Sequence, residues 1–299
     1  MITGFGSVCL DGLEITLQSA RIDIDGAPAS AQALRAGQFV AIRATGETAL
    51  SAETVSIRRQ VVGPVESVSD EMIEVAGQSV VTRAVEQPEL AHVRPGTWIA
   101  VSGLPRPDGR IAATRIDRIA EAGDVLVRGP AVADGGHLRV GRLPIPSGMI
   151  TAGAFVMARG TAGPDGLTVT SVEPDLLADD PGRYFGPGIT RVVLQAFITP
   201  GPGMLSLVGG PTVSAAPGVA PLPGVPQVAV IQPALGGLPQ AVGIGLPGAG
   251  GIPGLPGSAG AAHPGVPIPL GPSPLPGPAL PSPVLHVPLG PAFRGPHPR

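Results

Sequence analysis

Apolar and polar residues alternate in short runs through the first two thirds of the chain. Residues 22–25, 39–43 and 73–75 are examples. A period of two is typical of strands that bury one face. Turn-forming pairs separate the runs, and the only helical segments predicted are single turns near 29–34 and 87–93. The turn pairs are Asp11-Gly12, Asp25-Gly26, Asp108-Gly109, Gly135-Gly136 and Asp165-Gly166. The pattern predicts an all-β protein with many short strands.

Three sequence landmarks recur along this region at a nearly constant distance. The first is a glycine, a small residue or proline, and an apolar residue. The second is a glycine followed two residues later by an aromatic residue, and the third is a threonine in a closing strand. Their copies lie at Gly6, Gly63 and Gly129, at Gly37, Gly96 and Gly153, and at Thr54, Thr114 and Thr170. The second and third landmarks recur every 56 to 60 residues, and the first recurs after 57 and 66 residues. One period shared by independent landmarks predicts tandem modules of a single kind.

A module of this length with four to six strands buries little surface unless its sheet closes. Closure into a small barrel also removes the exposed strand edges. We therefore predict small β-barrel modules at residues 1–60, 61–122 and 123–175.

The pattern continues in part beyond the third module. Residues 193–213 parallel residues 125–145, with an apolar run, a glycine-containing turn and a second apolar run. This predicts a linker and an unfinished fourth module, a hairpin, at residues 176–213. An isolated hairpin is marginal in water, so it is expected to dock on the third module or on another chain.

Proline and glycine dominate the sequence from residue 214 onwards. Frequent proline opposes both helices and sheet ladders, and the composition lacks the strict triplet of collagen. The sequence therefore predicts a disordered, low-complexity tail at residues 214–299. Because aliphatic residues fill the gaps, the tail is expected to associate weakly with itself.

The charge distribution narrows the possible partners. The net charge is −3, every basic residue is arginine, and beyond Arg191 the only ionisable side chains are three histidines and two arginines. This balance gives no general attraction to nucleic acid or to an anionic membrane. Prolines interrupt the most apolar stretch, residues 231–255, so no transmembrane helix is predicted. The N-terminus runs directly into strand-like sequence, so no signal peptide is predicted.

The sequence shows no arrangement typical of catalysis, metal binding or cofactor binding. His92 and His137 lack ligand spacing, and Cys9 has no histidine partner motif. Asp179 and Asp180 are adjacent carboxylates in a segment that is predicted to be a solvated loop. No phosphate-binding glycine motif lies between a strand and a helix. We therefore predict no enzymatic activity, no cofactor and no metal.

Several segments resemble the bacterial domain-of-unknown-function family DUF5666. They are GFGSVCLDGLEITLQSARIDIDGAPASAQALRAGQFVAI, GPVESV, VRPGTWIAV and IAATRI, within residues 3–175. The resemblance implies small OB-like barrels, usually repeated, in exported envelope or secreted proteins of unknown activity. It thereby implies a periplasmic or secreted location, although family members carry an export signal that this sequence does not show.

The second module contains the candidate ligand-binding residues. OB-like barrels bind oligosaccharides or single-stranded nucleic acids through stacked aromatic residues, which makes Trp98 a candidate. Its equivalence to Phe39 and Phe155 in the other modules favours core packing instead. Nearby arginines outnumber the acidic residues Asp108 and Asp117. This local excess of positive charge indicates either a binding site for an anionic ligand or a strand face that is exposed to solvent. These arginines are Arg94, Arg106, Arg110, Arg115 and Arg118.

Two functional hypotheses follow from these observations. The first is a non-enzymatic structural or interaction protein of the cell envelope, with envelope proteins or polysaccharide as partners. The second is an OB-type ligand binder that uses the arginine-rich second module. Nucleic acid is the less favoured ligand of the second hypothesis because of the net charge.

Overall fold

A computed structural model describes residues 7–10, 13–46, 49–121, 124–146, 148, 150–163, 166–234 and 238–248. All of them lie in one compact unit. The described chain consists mainly of strands with three short helices, so the predicted all-β class is confirmed. Four successive groups of strands, here called modules, make up the fold.

The first module is a six-stranded sheet. Its strands are β1 (Ser7–Leu10), β2 (Leu13–Thr16), β3 (Arg21–Ile24), β4 (Ala27–Ala29), β5 (Val40–Thr45) and β6 (Leu50–Ile57). The order is β1-β2-β6-β3-β4, and β5 pairs with β6. A single 3-10 turn at Ala31–Ala33 occupies one of the two predicted helical positions. The described strands form an open sheet and not the predicted closed barrel, and the residues before β1 lie outside the described range.

The second module is a closed five-stranded barrel. It contains β7 (Val61–Val68), β8 (Met72–Val75), β9 (Gln78–Val81), β10 (Trp98–Pro105) and β11 (Ile111–Arg118), with α1 (Gln87–Leu90) before β10. The order is β7-β8-β9-β11-β10, and β10 pairs with β7 to close the barrel. β9 and β11 are parallel, while the other pairs are antiparallel. The OB-like barrel is therefore confirmed in this module.

The third module shares a sheet with the second. Its strands are β12 (Asp124–Pro130), β13 (Val132–Asp134), β14 (His137–Val140), β15 (Leu143–Ile145), β16 (Phe155–Gly163) and β17 (Gly166–Pro174). β12 pairs with β7 and continues into β16 and β17, while β13, β14 and β15 form a separate sheet. One apolar core runs through both modules. They are therefore joined, in contrast to the predicted separate barrels.

The fourth module is a complete barrel, which corrects two expectations. Two short helices, α2 (Leu176–Asp179) and α3 (Pro181–Phe185), form the linker that precedes it. Its strands are β18 (Val192–Gly201), β19 (Met204–Leu207), β20 (Thr212–Ala215), β21 (Pro226–Gln232) and β22 (Gln240–Gly245). They close in the order β18-β19-β20-β22-β21, which matches the second module. The predicted unfinished hairpin is thus wrong, and so is a tail that begins at residue 214.

The distribution of prolines explains why the composition was misleading. Residues 228–231 form a continuous apolar run, and five consecutive positions of β21 are buried. Proline stands at the first residue of this strand, where a missing backbone donor is tolerated. Other prolines, such as Pro217 and Pro233, lie in the connections between strands. Residues 249–299, the rest of the predicted disordered tail, lie outside the described range.

The second sequence landmark has a conformational cause. Its glycine precedes the second-to-last strand of each module and has a positive φ angle, which side chains other than glycine rarely adopt. The φ angles are +83° at Gly37, +84° at Gly96, +93° at Gly153 and +77° at Gly224. In the fourth module Pro226 stands two residues after the glycine, where the others have an aromatic residue. This replacement hid the fourth copy of the landmark.

A buried ionic network joins the first module to the third. Asp25 lies in the turn between β3 and β4, and Arg58 follows β6, whereas Arg128 lies in β12 and Asp175 follows β17. Arg128 Nη1 donates to Asp25 Oδ1 at 2.7 Å, and Arg128 Nε lies 3.2 Å from Asp175 Oδ2. Arg58 Nη2 donates to Asp175 Oδ1 at 2.6 Å. These four side chains are only 1–8% exposed.

Further contacts extend this network to the linker. The Arg58 guanidinium lies 5.4 Å from the centre of the Tyr184 ring in α3. Asp175 also accepts a hydrogen bond from Leu177 N at 3.2 Å and so caps α2. Arg59 pairs with Asp25 as well, so three arginines surround two aspartates. The network therefore fixes the first module, the third module and the linker relative to one another.

The electrostatic environment keeps Asp25 ionised. Burial alone raises the pKa of this carboxyl group, because it disfavours the charged form. Attraction to Arg128 and Arg59, together with hydrogen bonds from Arg59, outweighs burial and holds the pKa below its ordinary value. Asp25 also has a φ angle of +49°, which aspartate and asparagine tolerate better than most residues.

A core substitution tests the completeness of the fourth barrel. Ile231→Ala removes a side chain that is 2% exposed and packs in the core of the fourth module. We expect a loss of about 2–5 kcal/mol in the stability of this barrel, because a cavity remains. Hydrogen exchange of the β18–β22 amides measures it. Leu238→Ala, at a side chain that is 55% exposed, is the control and should change the exchange little. Equal effects of the two variants would contradict the barrel.

A second substitution tests the ionic network. Asp25→Asn keeps the shape and the tolerated backbone but leaves three arginines around one aspartate. We expect a loss of about 3–5 kcal/mol in the free energy of unfolding, measured by urea titration. Asp108→Asn is the matched control, because Asp108 also pairs with two arginines but is 35% exposed. It should cost less than about 1 kcal/mol. Similar losses in both variants would show that the buried network has no special role.

The pH dependence of stability provides a third test. Because the folded-state pKa of Asp25 is lowered, its contribution is complete above the unfolded-state pKa of about 3.9 and is lost as the pH falls through the folded-state value. The urea midpoint of the native chain should therefore decrease below about pH 4. The Asp25→Asn variant should show a shallower decrease over the same window. Parallel curves would contradict the lowered pKa.

Candidate ligand-binding cleft

A cleft of about 750 Å³ lies where the second, third and fourth modules meet. The hairpin between β10 and β11 forms one wall, and β14 with the turn before β15 forms another. The fourth module contributes residues 206–212 around the end of β19. The volume lies within the range of small-molecule sites, and such sites are common at interfaces between domains.

Two arginines of the β10–β11 hairpin share one carboxylate at this cleft. Arg106 Nε lies 3.2 Å from Asp108 Oδ2, and Arg110 Nη2 lies 2.7 Å from the same oxygen. The hydrogen bond from the Arg110 side chain is the main cause that lowers the pKa of Asp108 to about 2. The tight Asp108-Gly109 turn brings the three side chains together, because Arg110 N also donates to Asp108 Oδ1 at 3.1 Å. The pair is thus held in place by an ionised carboxylate.

Two more arginines, contributed by the third module, line the cleft. Arg139 Nε lies 3.0 Å from Asp134 Oδ2. Arg142 Nη2 lies 2.6 Å from Glu66 and its Nη1 lies 2.9 Å from Glu74, both in the second module. The side chains of Arg139 and Arg142 are 39% and 56% exposed. Their carboxylate partners do not line the cleft, which leaves the arginines as the charged groups of this wall.

Two groups from the linker and the buried network complete the charged lining. Arg128 of the ionic network lines the cleft, and so does Asp179 at the end of α2. Burial and repulsion from Asp175 raise the pKa of Asp179. Asp180, its neighbour, instead caps α3 by accepting a hydrogen bond from Arg183 N at 3.0 Å. The two adjacent carboxylates therefore have separate structural environments and not a shared site.

The fourth module packs closely against the hairpin wall. The Arg106 guanidinium lies 5.3 Å from the centre of the Phe197 ring, within the range of a cation–π contact. A Cβ atom at Gly209 would lie only 2.5 Å from Pro105 Cγ. Glycine at this position thus permits the approach that closes the cleft. Thr199, Ser206 and Thr212 add hydroxyl groups to its lining.

The structure separates the six residues that the sequence singled out. Arg106 and Arg110 lie together at the cleft. Arg115 instead pairs with Asp117 at 2.6 Å and with Glu89 at 3.0 Å, and it donates to Ala36 O of the first module at 3.1 Å. Trp98 is 7% exposed and packs in the shared core. Its position agrees with the core-packing interpretation and removes it from any ligand surface.

Arg94 and Arg118 are exposed and do not line the cleft. Within the described ranges, neither side chain takes part in a salt bridge. They are solvated arginines of the second module. Ligand contact by these residues stays a prediction.

Sequence reasoning did not find Arg139 and Arg142. Both belong to the third module, and the acidic partners of Arg142, Glu66 and Glu74, come from the second, about seventy residues away along the chain. The signal in the sequence is the arginine pair in RVGR, residues 139–142, directly after the Gly135-Gly136 turn. Only the structure shows that this pair and the β10–β11 hairpin line the same cleft.

The cleft has the chemistry of an anion-binding site. Guanidinium groups carry five N–H donors in a planar fork that matches carboxylates and phosphates. Five arginines against two aspartates line it. Over the described ranges, no three His, Cys, Asp or Glu side chains are grouped as metal ligands would be. In the same part of the chain, none of the helices has the length and apolar character needed to span a membrane.

Comparison with known proteins gives one family match. No curated protein and no solved structure matches the chain. The family model for the domain of unknown function DUF5666 matches residues 62–117, within the closed barrel of the second module, so the resemblance is confirmed there.

Proposed function

We propose that this protein is a non-enzymatic structural and interaction protein of the bacterial cell envelope, built from tandem OB-like modules. The observation that carries the proposal is the buried network of Arg58, Asp175, Arg128 and Asp25. These residues use their charges to connect the modules. Because the buried ionic network fixes one module against another, the surfaces of the modules keep a constant arrangement. Such an arrangement suits a protein that binds partners.

The strand order supports the tandem part of the proposal. The second and fourth barrels have the same order, and the parallel pairs β3–β6, β9–β11 and β20–β22 each join the third long strand of a module to its last. The first three modules also share a backbone hydrogen bond that forms directly after the last strand. Arg58 N donates to Phe39 O at 2.9 Å, Ile119 N to Trp98 O at 3.1 Å and Asp175 N to Phe155 O at 2.8 Å.

The fourth module supports an interaction role. Residues 192–248 contain no ionisable side chain. Most of the large apolar side chains that are exposed in the described chain belong to this module. They are Met204, Leu222, Val225, Leu238 and Leu246. Exposed apolar surface of this kind is typical of contact with partners. Envelope proteins and polysaccharide remain the proposed partners, and weak self-association of the tail stays a prediction.

The envelope location is tested by fractionation of cells in which the native gene carries a C-terminal tag. We expect the full chain in the envelope or periplasmic fraction, as the DUF5666 resemblance implies. Recovery with a cytosolic marker enzyme would refute the location. A strain without the gene should become sensitive to detergent, and the Glu71→Gln variant, which alters an exposed ion pair outside the cleft, should restore resistance. The Asp25→Asn variant, which weakens the connection between modules, should restore it poorly. Equal restoration by both would contradict the structural role.

A further inference from the structure

We propose that the arginine-lined cleft binds an oligosaccharide that carries carboxylate groups, such as a segment of an acidic polysaccharide. This inference deepens the interaction function proposed above and rests on it, because it names the ligand class and the site. The combination of two arginine pairs from different modules with threonine and serine residues in one inter-module cleft carries it.

The two arginine pairs have the geometry for carboxylate groups. Arg106 and Arg110 already hold one carboxylate, that of Asp108, between them. This contact shows that their guanidinium groups converge on an anion of that size. Arg139 and Arg142 line the same cleft and belong to the third module, so the second and third modules each contribute a pair of arginines. A chain with acidic groups on successive sugar units would meet both pairs.

The present ion pairs leave room for such a ligand. Exposed ion pairs contribute little to stability, so a ligand carboxylate replaces Asp134 or Glu66 at little cost. The partly exposed guanidinium groups of Arg139 and Arg142 retain access to solvent. Arg128 differs, because it is 3% exposed and fixed between Asp25 and Asp175. Arg128 therefore keeps its two aspartate partners and does not exchange them for groups of the ligand.

The rest of the lining favours a sugar over a nucleic acid. Hydroxyl groups of Thr199, Ser206 and Thr212 and several glycine backbones line the walls. These groups exchange hydrogen bonds with sugar hydroxyls. Single-stranded nucleic acids instead need aromatic side chains on which successive bases stack. Among the lining residues that the structure describes, Phe155 alone is aromatic.

Isothermal titration calorimetry of the full chain with tetragalacturonate at low salt tests the proposal. We expect saturable binding that weakens as salt is added, whereas the uncharged tetrasaccharide of galactose should give no saturable binding. The double variant Arg139→Gln, Arg142→Gln should raise the Kd at least tenfold, because the ligand loses its charge-assisted hydrogen bonds to both guanidinium groups. Trp98 fluorescence during urea unfolding shows whether the variant stays folded.

Arg83→Gln is the matched control. Arg83 also belongs to the second module and forms an exposed ion pair, with Glu71 at 2.9 Å, but it lies outside the cleft. Its Kd should stay within twofold of the native value. A rise equal to that of the double variant would show diffuse attraction and overturn the site. Absence of saturable binding to tetragalacturonate would overturn it as well. Tighter binding of a short single-stranded DNA, lost in the double variant, would replace the sugar by nucleic acid.

These outcomes are separate from the test of the proposed function. Fractionation and detergent resistance report on location and on the connection between modules, and neither requires the cleft. A chain found in the envelope that does not bind tetragalacturonate would remove the ligand and keep the interaction role. A chain found in the cytosol that binds it would do the reverse.

Discussion

The arrangement of the modules depends on a small set of charges withdrawn from water. Arg58 and Asp175 follow the last strands of the first and third modules, at equivalent positions, and pair with each other. Burial of ions costs several kcal/mol for each group unless partners and hydrogen bonds offset it. These partners meet only when both modules are in their observed places. We therefore interpret the network as a selector of one arrangement, more than as a source of stability.

Much of the fold follows from local rules that the sequence displays. Alternation marks the strands, and the glycine of the second landmark marks the required positive φ before a long strand. The sequence analysis did not predict the complete fourth module, because proline replaces the aromatic residue at position 226 and raises the local proline content. The pattern in residues 226–232 still satisfies the rule for a buried strand. The high proline and glycine content of residues 214–299, taken as an average over 86 residues, concealed the seven-residue pattern of strand β21.

The cleft could be predicted only in part, because its two walls come from different modules. Arg106 and Arg110 stand beside an Asp-Gly turn, so their proximity is local and visible in the sequence. The pairing of β7 with β12, over Val61 and Val62, is what joins the modules. The regular spacing of the sequence landmarks does not indicate that two neighbouring modules share a sheet. Contacts between modules therefore required the structure.

The exclusive use of arginine has a physical consequence in both places where charge matters. Arg128 serves Asp25, Asp175 and the backbone oxygen of Arg59 at 2.5 Å at the same time. Its Nη1 donates to both Asp25 and the Arg59 oxygen, while its Nε lies near Asp175, so one planar guanidinium group contacts groups on more than one of its edges. The same property lets Arg142 contact Glu66 and Glu74. Burial separates the two uses: the network at Arg128 is fixed, while the exposed forks of the cleft keep partners that a ligand can replace.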